Sequence, residues 1–334
     1  MSVRVAINGF GRIGRQIAKI MLRRPAIDLE LVAVNTLESP ELSAHLLAHD
    51  TLYGGIGAEV ERQERGLAIG GRAIDFLHHV DPKEIPWGDL GIDIVIDSSG
   101  AGDGRLESHI QQGALKVIVA GSSREADVII CVGVNHERYE PEHHRIICAG
   151  SCTTNCIGPA AKVIHDRFGI DLLTTTIVHS YTTGQNLLDG SHADLRRARS
   201  AGSNIIPTTT SATEQVGQVL PDLAGRVTGV AMRVPTPVVH AADLVVKTNK
   251  RGTGQELLAA LEEAATHELH GILAVNHAPL VSSDLKGSPF SCVVDAEFTD
   301  FRGDLIKTIL WHDNEFSYSL RLVDLAELVA AGLK

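Results

Sequence analysis

Val3-Arg4-Val5-Ala6-Ile7 runs into Asn8-Gly9-Phe10-Gly11-Arg12-Ile13-Gly14, and the apolar spacing Ile13, Ile17, Ile20, Met21 follows. A β-branched run, a glycine turn and a helical repeat in this order read as strand, turn and helix. Gly9, Gly11 and Gly14 keep the spacing G-x-G-x-x-G. The first glycine permits a tight turn, the second lets a pyrophosphate approach the backbone, and the third lets the helix pack closely on the strand. The helix N-terminus then faces the phosphate, so the stretch reads as a dinucleotide-binding turn.

Working outward, short apolar runs recur at 29–34, 92–97, 117–120, 128–131 and 145–148. Continuous apolar strands flanked by helix-compatible segments indicate a mostly parallel sheet buried on both faces. Residues 1–150 are therefore expected to form a doubly wound (Rossmann) α/β domain. The second run ends at Asn35-Thr36, where a fold selecting NAD usually carries an acid on the adenosine ribose; the nearest carboxylate here is Glu38. An acid at that tip repels the extra phosphate of NADP, so Thr36 removes a barrier and offers a hydroxyl. Alternatively, Thr36 caps the turn and NAD is held elsewhere.

The chemistry concentrates at Ala149-Gly150-Ser151-Cys152-Thr153-Thr154-Asn155. Cys152 would open a helix running to Phe168, where unpaired N–H groups and the helix dipole favour thiolate over thiol. His179, at the end of an apparent strand that begins near Thr174, is the candidate base. A small buried hydrophobe and a satisfied core histidine would give the same letters, and spacing does not show that the two touch.

Composition frames these motifs. At 334 residues and 44% hydrophobic content the chain can hold about two full-sized cores. A net charge of -11 argues against general affinity for nucleic acid or anionic membrane, and no apolar run reaches the length of a membrane span. Five cysteines and an opening without a basic region before an apolar core suit a reducing cytoplasm. Cys148, Cys152 and Cys156 recur every four residues, but zinc sites usually begin with closer pairs and a strand-to-helix change near Gly150 breaks any common face. No metal is expected.

Beyond Cys152 the pattern changes. Residues 180–207 are long, polar and contain Arg196, Arg197 and Arg199; stretches of this kind are usually functional. Strands follow at 226–234, 238–248, 291–298 and 306–311, with a helix near 255–269. Long clustered strands indicate a mixed or antiparallel sheet, hence an α+β catalytic domain over 151–314. The amphipathic run at 315–334 is expected to return to the first domain.

The residues now meet a known family. The chain resembles phosphorylating glyceraldehyde-3-phosphate dehydrogenase along essentially its whole length. The resemblance is carried by Asn8-Gly9-Phe10-Gly11-Arg12-Ile13-Gly14, Ser151-Cys152-Thr153-Thr154-Asn155-Cys156, Asp194-Leu195-Arg196-Arg197-Ala198-Arg199, Ile205-Ile206-Pro207-Thr208-Thr209-Thr210, Met232-Arg233-Val234-Pro235-Thr236-Pro237 and Trp311-His312-Asp313-Asn314-Glu315. It implies a homotetramer, a nicotinamide cofactor, a triose phosphate and inorganic phosphate as substrates, with Cys152 as nucleophile and His179 as base.

The resemblance further implies that Thr182 and Arg233 hold the substrate phosphate. Ser151, Thr153 and Thr210 would hold the attacking phosphate, with Arg197 nearby, and Ser211 would belong to the substrate and phosphate site beside Thr210. Arg12 and Ile13 would present N–H groups to the pyrophosphate, Ser99 and Ala120 would line the cofactor, and Asn314 would hold the nicotinamide carboxamide.

Departures sharpen the expectation. The family pattern has Asn-Asp at Asn35-Thr36 and Leu-Pro at Gly190-Ser191, where small or hydroxyl residues accompany NADP use, so NADP preference or dual use with NAD is expected. Gly184 stands for an aspartate, Ser211 for a glycine and Ala120 for a serine, which touches the shape of the substrate pocket. Oxidation of erythrose 4-phosphate on the same fold is the nearest alternative. A non-phosphorylating aldehyde dehydrogenase and a non-catalytic dinucleotide-fold scaffold are the others.

Overall fold

The computed structural model describes residues 2–24, 28–100 and 104–334. The chain divides into two compact units, 1–130 with 137–150 and 319–334, and 131–136 with 151–318.

The first unit is built on a nine-stranded sheet. Its strands are β1 (Val3–Asn8), β2 (Leu29–Asn35), β3 (Val60–Gln63), β4 (Gly66–Ile69), β5 (Arg72–Leu77), β6 (Ile94–Asp97), β7 (Lys116–Val119), β8 (Val128–Ile129) and β9 (Ile146–Cys148), in the order β3-β4-β5-β2-β1-β6-β7-β9-β8. From β5 through β8 every neighbouring pair is parallel. Only the edge ribbon β3-β4-β5 is antiparallel. The central strands β1, β6 and β7 are buried almost throughout, as a sheet covered on both faces requires.

Helices α1 (Arg12–Arg23), α2 (Pro40–Ala48) and α3 (Leu106–Gln111) belong to this unit. The Ser39 hydroxyl caps α2 by accepting from the Leu42 N–H, with Pro40 at the first helical position, where its missing N–H costs nothing. The closing helix α7 runs Phe316–Ala331. Within the first unit, Arg24 pairs with Asp324 on that helix at 3.1 Å.

The second unit carries a seven-stranded mixed sheet. Its strands are β10 (Ile170–Ser180), β11 (Ile206–Thr208), β12 (Val227–Val234), β13 (His240–Thr253), β14 (Leu273–Asn276), β15 (Cys292–Asp295) and β16 (Asp300–His312), in the order β11-β12-β10-β13-β16-β15-β14. Strand β10 lies parallel to β12 and antiparallel to β13. Helices α4 (Cys152–Phe168), α5 (Ala212–Val219) and α6 (Gly254–Thr266) complete it. A single apolar cluster joins Ile157, Ala161 and Ile164 of α4 to Leu244 and Val246 of β13 and Leu257 and Leu261 of α6. Thr253 and Glu256 form a reciprocal capping box that starts α6 directly at the end of β13.

Several bounds differ from the sequence reading. The apolar run at 128–131 gives only a two-residue strand, because 131–136 leave the first sheet for the second unit. The run expected at 291–298 pairs only over Cys292–Asp295. The ribbon β3-β4-β5 was not anticipated, since its edge residues are mostly exposed and polar and only β4 is apolar throughout. The polar stretch expected at 180–207 yields to β11 at its end, where Ile206 pairs with Arg233.

Candidate active site

Each unit presents a set of residues suited to one part of a reaction. In the first, Gly9 turns the chain with a φ of +91°, and a Cβ there would meet the backbone of Ser99 at 2.5 Å. A Cβ on Gly14 would stand 2.2 Å from the Gly9 carbonyl oxygen, so only glycine lets α1 lie this close to β1. Gly11 is different: a Cβ there would meet nothing within 4 Å, and its N-cap position supplies no side-chain acceptor to the first turn of α1. An open approach over a helix N-terminus without a side-chain cap, which begins at Arg12, Ile13 and Gly14, suits a pyrophosphate. The residues present therefore fit a dinucleotide.

A buried polar network supports this turn. Asp97 accepts from Asn8 Nδ2 at 2.7 Å and from the Ser99 hydroxyl at 2.8 Å, and lies 3.1 Å from His109 Nε2. Trp87 Nε1 donates to His109 Nδ1 at 2.9 Å, so the histidine proton sits on Nε2 and points at Asp97. Burial pushes the Asp97 carboxyl up, and the bonds from His109, Asn8 and Ser99 outweigh this and hold it below its ordinary value. Ala120 closes the same strand end through its N–H to the Asp97 carbonyl at 2.8 Å.

Thr36 is buried, and its hydroxyl oxygen accepts the Glu38 N–H at 3.2 Å. The hydroxyl therefore serves the turn while keeping its own proton to donate. Asn35 ties β2 to β1 by donating to Asn8 Oδ1 at 2.8 Å. Glu38 stands 3.9 Å from Arg15 Nη1.

In the second unit, Ser151 caps α4, its Oγ accepting the Thr154 N–H at 3.1 Å, and Cys152 is the first helical residue. Cys152 Sγ lies 3.6 Å from His179 Nε2. Sequence reasoning placed both residues on neighbouring element ends; the sheet brings them together because β10 runs on through His179 to Ser180. Arg233 is the register partner of His179 on β12, and its Nη1 stands 2.6 Å from His179 Nδ1 and 2.9 Å from the Ser180 carbonyl.

The thiol does not follow the helix-terminus expectation. Burial pushes the Cys152 thiol up, and the Arg233 charge with the hydroxyl and N–H of Thr153 only partly offsets it. Burial, then the adjacent Arg233 charge, lowers His179 to about 3. Desolvation penalises both charged forms and so favours a neutral thiol beside a neutral imidazole.

Asn314 is fixed by two donors to its Oδ1, the Ser180 hydroxyl at 2.9 Å and the Val239 N–H at 3.0 Å. Val239 reaches this position with a φ of +68°, a strained conformation for a β-branched residue. Thr182 is held through Gln185 Oε1, which accepts from its N–H at 2.8 Å and its hydroxyl at 3.1 Å. Arg197 spends Nε and Nη2 on the Thr208 hydroxyl oxygen, at 3.0 and 2.6 Å. Thr210 accepts the Ala212 N–H at 3.2 Å, and Ser211 sits at the N-cap of α5 without a side-chain capping bond. Ser191 lies in the loop before these arginines, its carbonyl accepting from Asn186 Nδ2 at 3.4 Å.

Two residues went unnoticed in the sequence. Gln215, buried on α5, accepts from the Ser151 N–H at 2.9 Å and the Thr154 hydroxyl at 2.8 Å, and so anchors the N-terminus of α4. His240, fully buried at the start of β13, stacks against His179 with ring centroids 4.6 Å apart and against His312 at 5.0 Å. A glutamine in a polar helix and a histidine in an apolar run carry no signal in the sequence alone. Cys148 and Cys156 are buried; among the described residues, the cluster able to ligate a metal is Cys152, His179 and His240 and contains neither.

A glycine-turn dinucleotide fold and a cysteine-histidine pair with an adjacent arginine define a class, dinucleotide-binding chains with a thiol centre. Comparison with known proteins makes this specific. Residues 3–105 match the family described as glyceraldehyde 3-phosphate dehydrogenase, NAD binding domain, and residues 151–314 match its C-terminal domain. The chain is 46% identical to glyceraldehyde-3-phosphate dehydrogenase of Geobacillus stearothermophilus, with 99% of each chain covered. It is 46% identical to glyceraldehyde-3-phosphate dehydrogenase 1 of Streptomyces avermitilis, covering 98% of this chain and 99% of that one, and 45% identical to the Bacillus subtilis enzyme 1, with 99% of each covered. The chain belongs to the glyceraldehyde 3-phosphate dehydrogenase family.

Proposed function

We propose that the chain oxidises glyceraldehyde 3-phosphate, with inorganic phosphate and a nicotinamide dinucleotide, to 1,3-bisphosphoglycerate through a thioester on Cys152. The observation that carries the reading is the 3.6 Å approach of Cys152 Sγ to His179 Nε2 with the Arg233 guanidinium 2.6 Å from the same ring. The first unit takes the dinucleotide role, through Gly9, Gly11, Arg12, Ile13, Gly14, Thr36, Ser99 and Ala120. The second takes the catalytic role, with Asn314 on the carboxamide. When bound, the nicotinamide supplies the hydride acceptor.

The chain's own residues do the rest. Cys152 Sγ adds to the aldehyde carbon as its proton passes to His179 Nε2 and from there to the carbonyl oxygen, giving a hemithioacetal and returning the imidazole to its neutral form. His179 takes the proton of the hemithioacetal hydroxyl as the carbon is oxidised, leaving a thioester. Inorganic phosphate, held by Ser151, Thr153, Thr210 and Ser211 with Arg197 beside them, attacks the thioester carbon and releases the thiolate. Thr182 and Arg233 hold the phosphate already on the substrate.

Arg233 also bears on which ring nitrogen carries the proton. His179 Nδ1 lies 2.7 Å from the Ser180 carbonyl and 2.6 Å from Arg233 Nη1, and it cannot donate to the first while accepting from the second. With the proton on Nδ1, Nε2 offers its lone pair to the thiol. A substrate phosphate that draws Arg233 away favours this tautomer and removes the charge that suppresses imidazolium, so phosphate binding readies the base.

Use of both NAD and NADP is part of the proposal, supported by the absence of a carboxylate at Thr36 and by its hydroxyl proton. Assembly with further copies, as a homotetramer, is supported by Leu187, Leu188, Leu195 and Ile205, all strongly exposed in the arginine loop and its exit. Among the described residues no helix is long and apolar enough to cross a membrane, and a cytoplasmic place for the reaction accords with five cysteines that form no disulfide among those residues.

Steady-state oxidation of glyceraldehyde 3-phosphate and of erythrose 4-phosphate, each with NAD and NADP and with and without phosphate, tests the reading. Phosphate-dependent turnover of the triose with either dinucleotide is expected. Turnover indifferent to phosphate would replace it with a non-phosphorylating dehydrogenase, and faster use of the tetrose with an erythrose 4-phosphate enzyme. A preference for NAD of about a hundredfold, roughly 2.7 kcal/mol, would refute the role given to Thr36.

A further inference from the structure

We propose that Cys152, His179 and His240 form a binding site for a thiophilic divalent cation, Zn²⁺ in the first instance, and that its occupancy reversibly silences the thiol. The ligating atoms of the three side chains all lie within 4.8 Å of one another. The 3.6 Å separation of Cys152 Sγ and His179 Nε2 equals the edge of a tetrahedron with Zn–S near 2.3 Å and Zn–N near 2.0 Å, about 3.6 Å. One thiolate and two imidazoles are a donor set that zinc takes readily, with the fourth position left to water or an anion.

The independent observation is His240. Its side chain is 1% exposed, yet neither ring nitrogen has a hydrogen-bond partner. Buried imidazoles normally have hydrogen-bond partners, as its neighbour His312 shows with Nδ1 2.6 Å from the Ser291 carbonyl and Nε2 3.5 Å from the Ser317 hydroxyl. Nothing in the proposed reaction uses His240. A cation beside it would satisfy one nitrogen that the fold leaves unpaired.

The surroundings of His179 suit the same role. Its Nδ1 lies 2.7 Å from the Ser180 carbonyl, the outer bond that a metal-bound histidine makes through its second nitrogen. Arg233 opposes a cation by its charge, and ionisation of the thiol offsets this: binding forms the Zn–S bond and releases the Cys152 proton to solvent, with no change of oxidation state. A metal-bound sulfur cannot add to an aldehyde, and His179 Nε2 loses the lone pair that would take the proton. The silencing rests on the role proposed above for Cys152; the binding does not.

Cobalt reports the site independently of activity. The full-length chain titrated with Co²⁺ in phosphate-free buffer is expected to develop a thiolate-to-cobalt charge-transfer band and the intense visible bands of four-coordinate cobalt, both displaced by Zn²⁺. Cys152→Ser should abolish the charge-transfer band, and His240→Leu should weaken zinc binding, measured by competition with a chelating dye, by roughly tenfold or more. Zinc inhibition of aldehyde oxidation, scaled to each variant's own uninhibited rate and relieved by chelator, should follow the same order. Weak six-coordinate bands alone, or a His240→Leu zinc affinity unchanged from the parent, would overturn the proposal. Should that variant not fold, X-ray absorption of the zinc-loaded parent decides: one sulfur with two imidazoles supports the site, and one sulfur with a single imidazole refutes it.

Discussion

The turn at Gly9 to Gly14 and the centre at Cys152 both sit where a strand gives way to a helix N-terminus, but they are built in opposite ways. The first works through the backbone, and its partners lie within a few residues or on the adjoining strand: Gly14 against the Gly9 carbonyl, Gly9 against Ser99. The second works through side chains gathered from far along the chain: Ser151 with Gln215, Cys152 with His179, His179 with Arg233, and Asn314 with Ser180 and Val239. Function written in the backbone is local and glycine-bound. Function written in side chains depends on the register of β10, β12 and β13.

The largest expected difference between the two comes from removing the nucleophile. Cys152→Ser should lower kcat by about ten-thousandfold or more in a dinucleotide-reduction assay while dinucleotide affinity and thermal unfolding stay near the parent. Loss of dinucleotide binding in that variant would show that the regions are not separately built.

Within the turn, two glycines separate packing from ligand approach. Gly14→Ala must move α1 off β1 and should cost about 3 kcal/mol in denaturant unfolding, with dinucleotide binding lost alongside. Gly11→Ala has open space and an ordinary φ of -71°, so its stability should fall by only about 0.5 kcal/mol. Its dinucleotide affinity should still drop about tenfold by calorimetry, because a methyl enters the approach of the pyrophosphate. Equal effects of the two substitutions would remove the distinction between them.

In the side-chain centre, Gln215→Met leaves the Ser151 N–H without its acceptor at the head of α4. It should cost about 1–3 kcal/mol of stability and reduce kcat more than it raises KM, since it loosens the nucleophile and not the substrate phosphate. A pure KM effect would place Gln215 at substrate instead.

Acid should also discriminate. His179 titrates near 3 in the folded chain and near 6.5 unfolded, so between those values the unfolded state binds the extra proton and stability falls as pH falls. The slope from this residue should approach 1.4 kcal/mol per pH unit below about 6.5 and be absent in His179→Gln. The same slope in both proteins would assign the acid lability to other groups.

What the sequence displayed follows the same division. Gly9, Gly11 and Gly14 and the buried parallel strands were readable because each is decided by neighbours a few residues away. Cys152 and His179 were readable as residue types; their contact was not, because it depends on β10 continuing to Ser180 and on α4 lying over the sheet. Gln215 and His240 were invisible, since nothing near them in the chain distinguishes an anchor from a surface amide or a core imidazole. The upward shift of the Cys152 thiol was misjudged for a related reason: the helix dipole is local and legible, whereas the desolvation that outweighs it comes from the whole packed unit.

The most direct test of the side-chain centre is to trap its covalent state. Enzyme mixed with glyceraldehyde 3-phosphate and oxidised dinucleotide in the absence of phosphate, quenched in acid and digested, should show a phosphoglyceryl adduct on the peptide carrying Cys152, lost when phosphate is added before the quench. Reduced dinucleotide formed in stoichiometric amount with no adduct at Cys152, or an adduct on any other residue, would contradict the account.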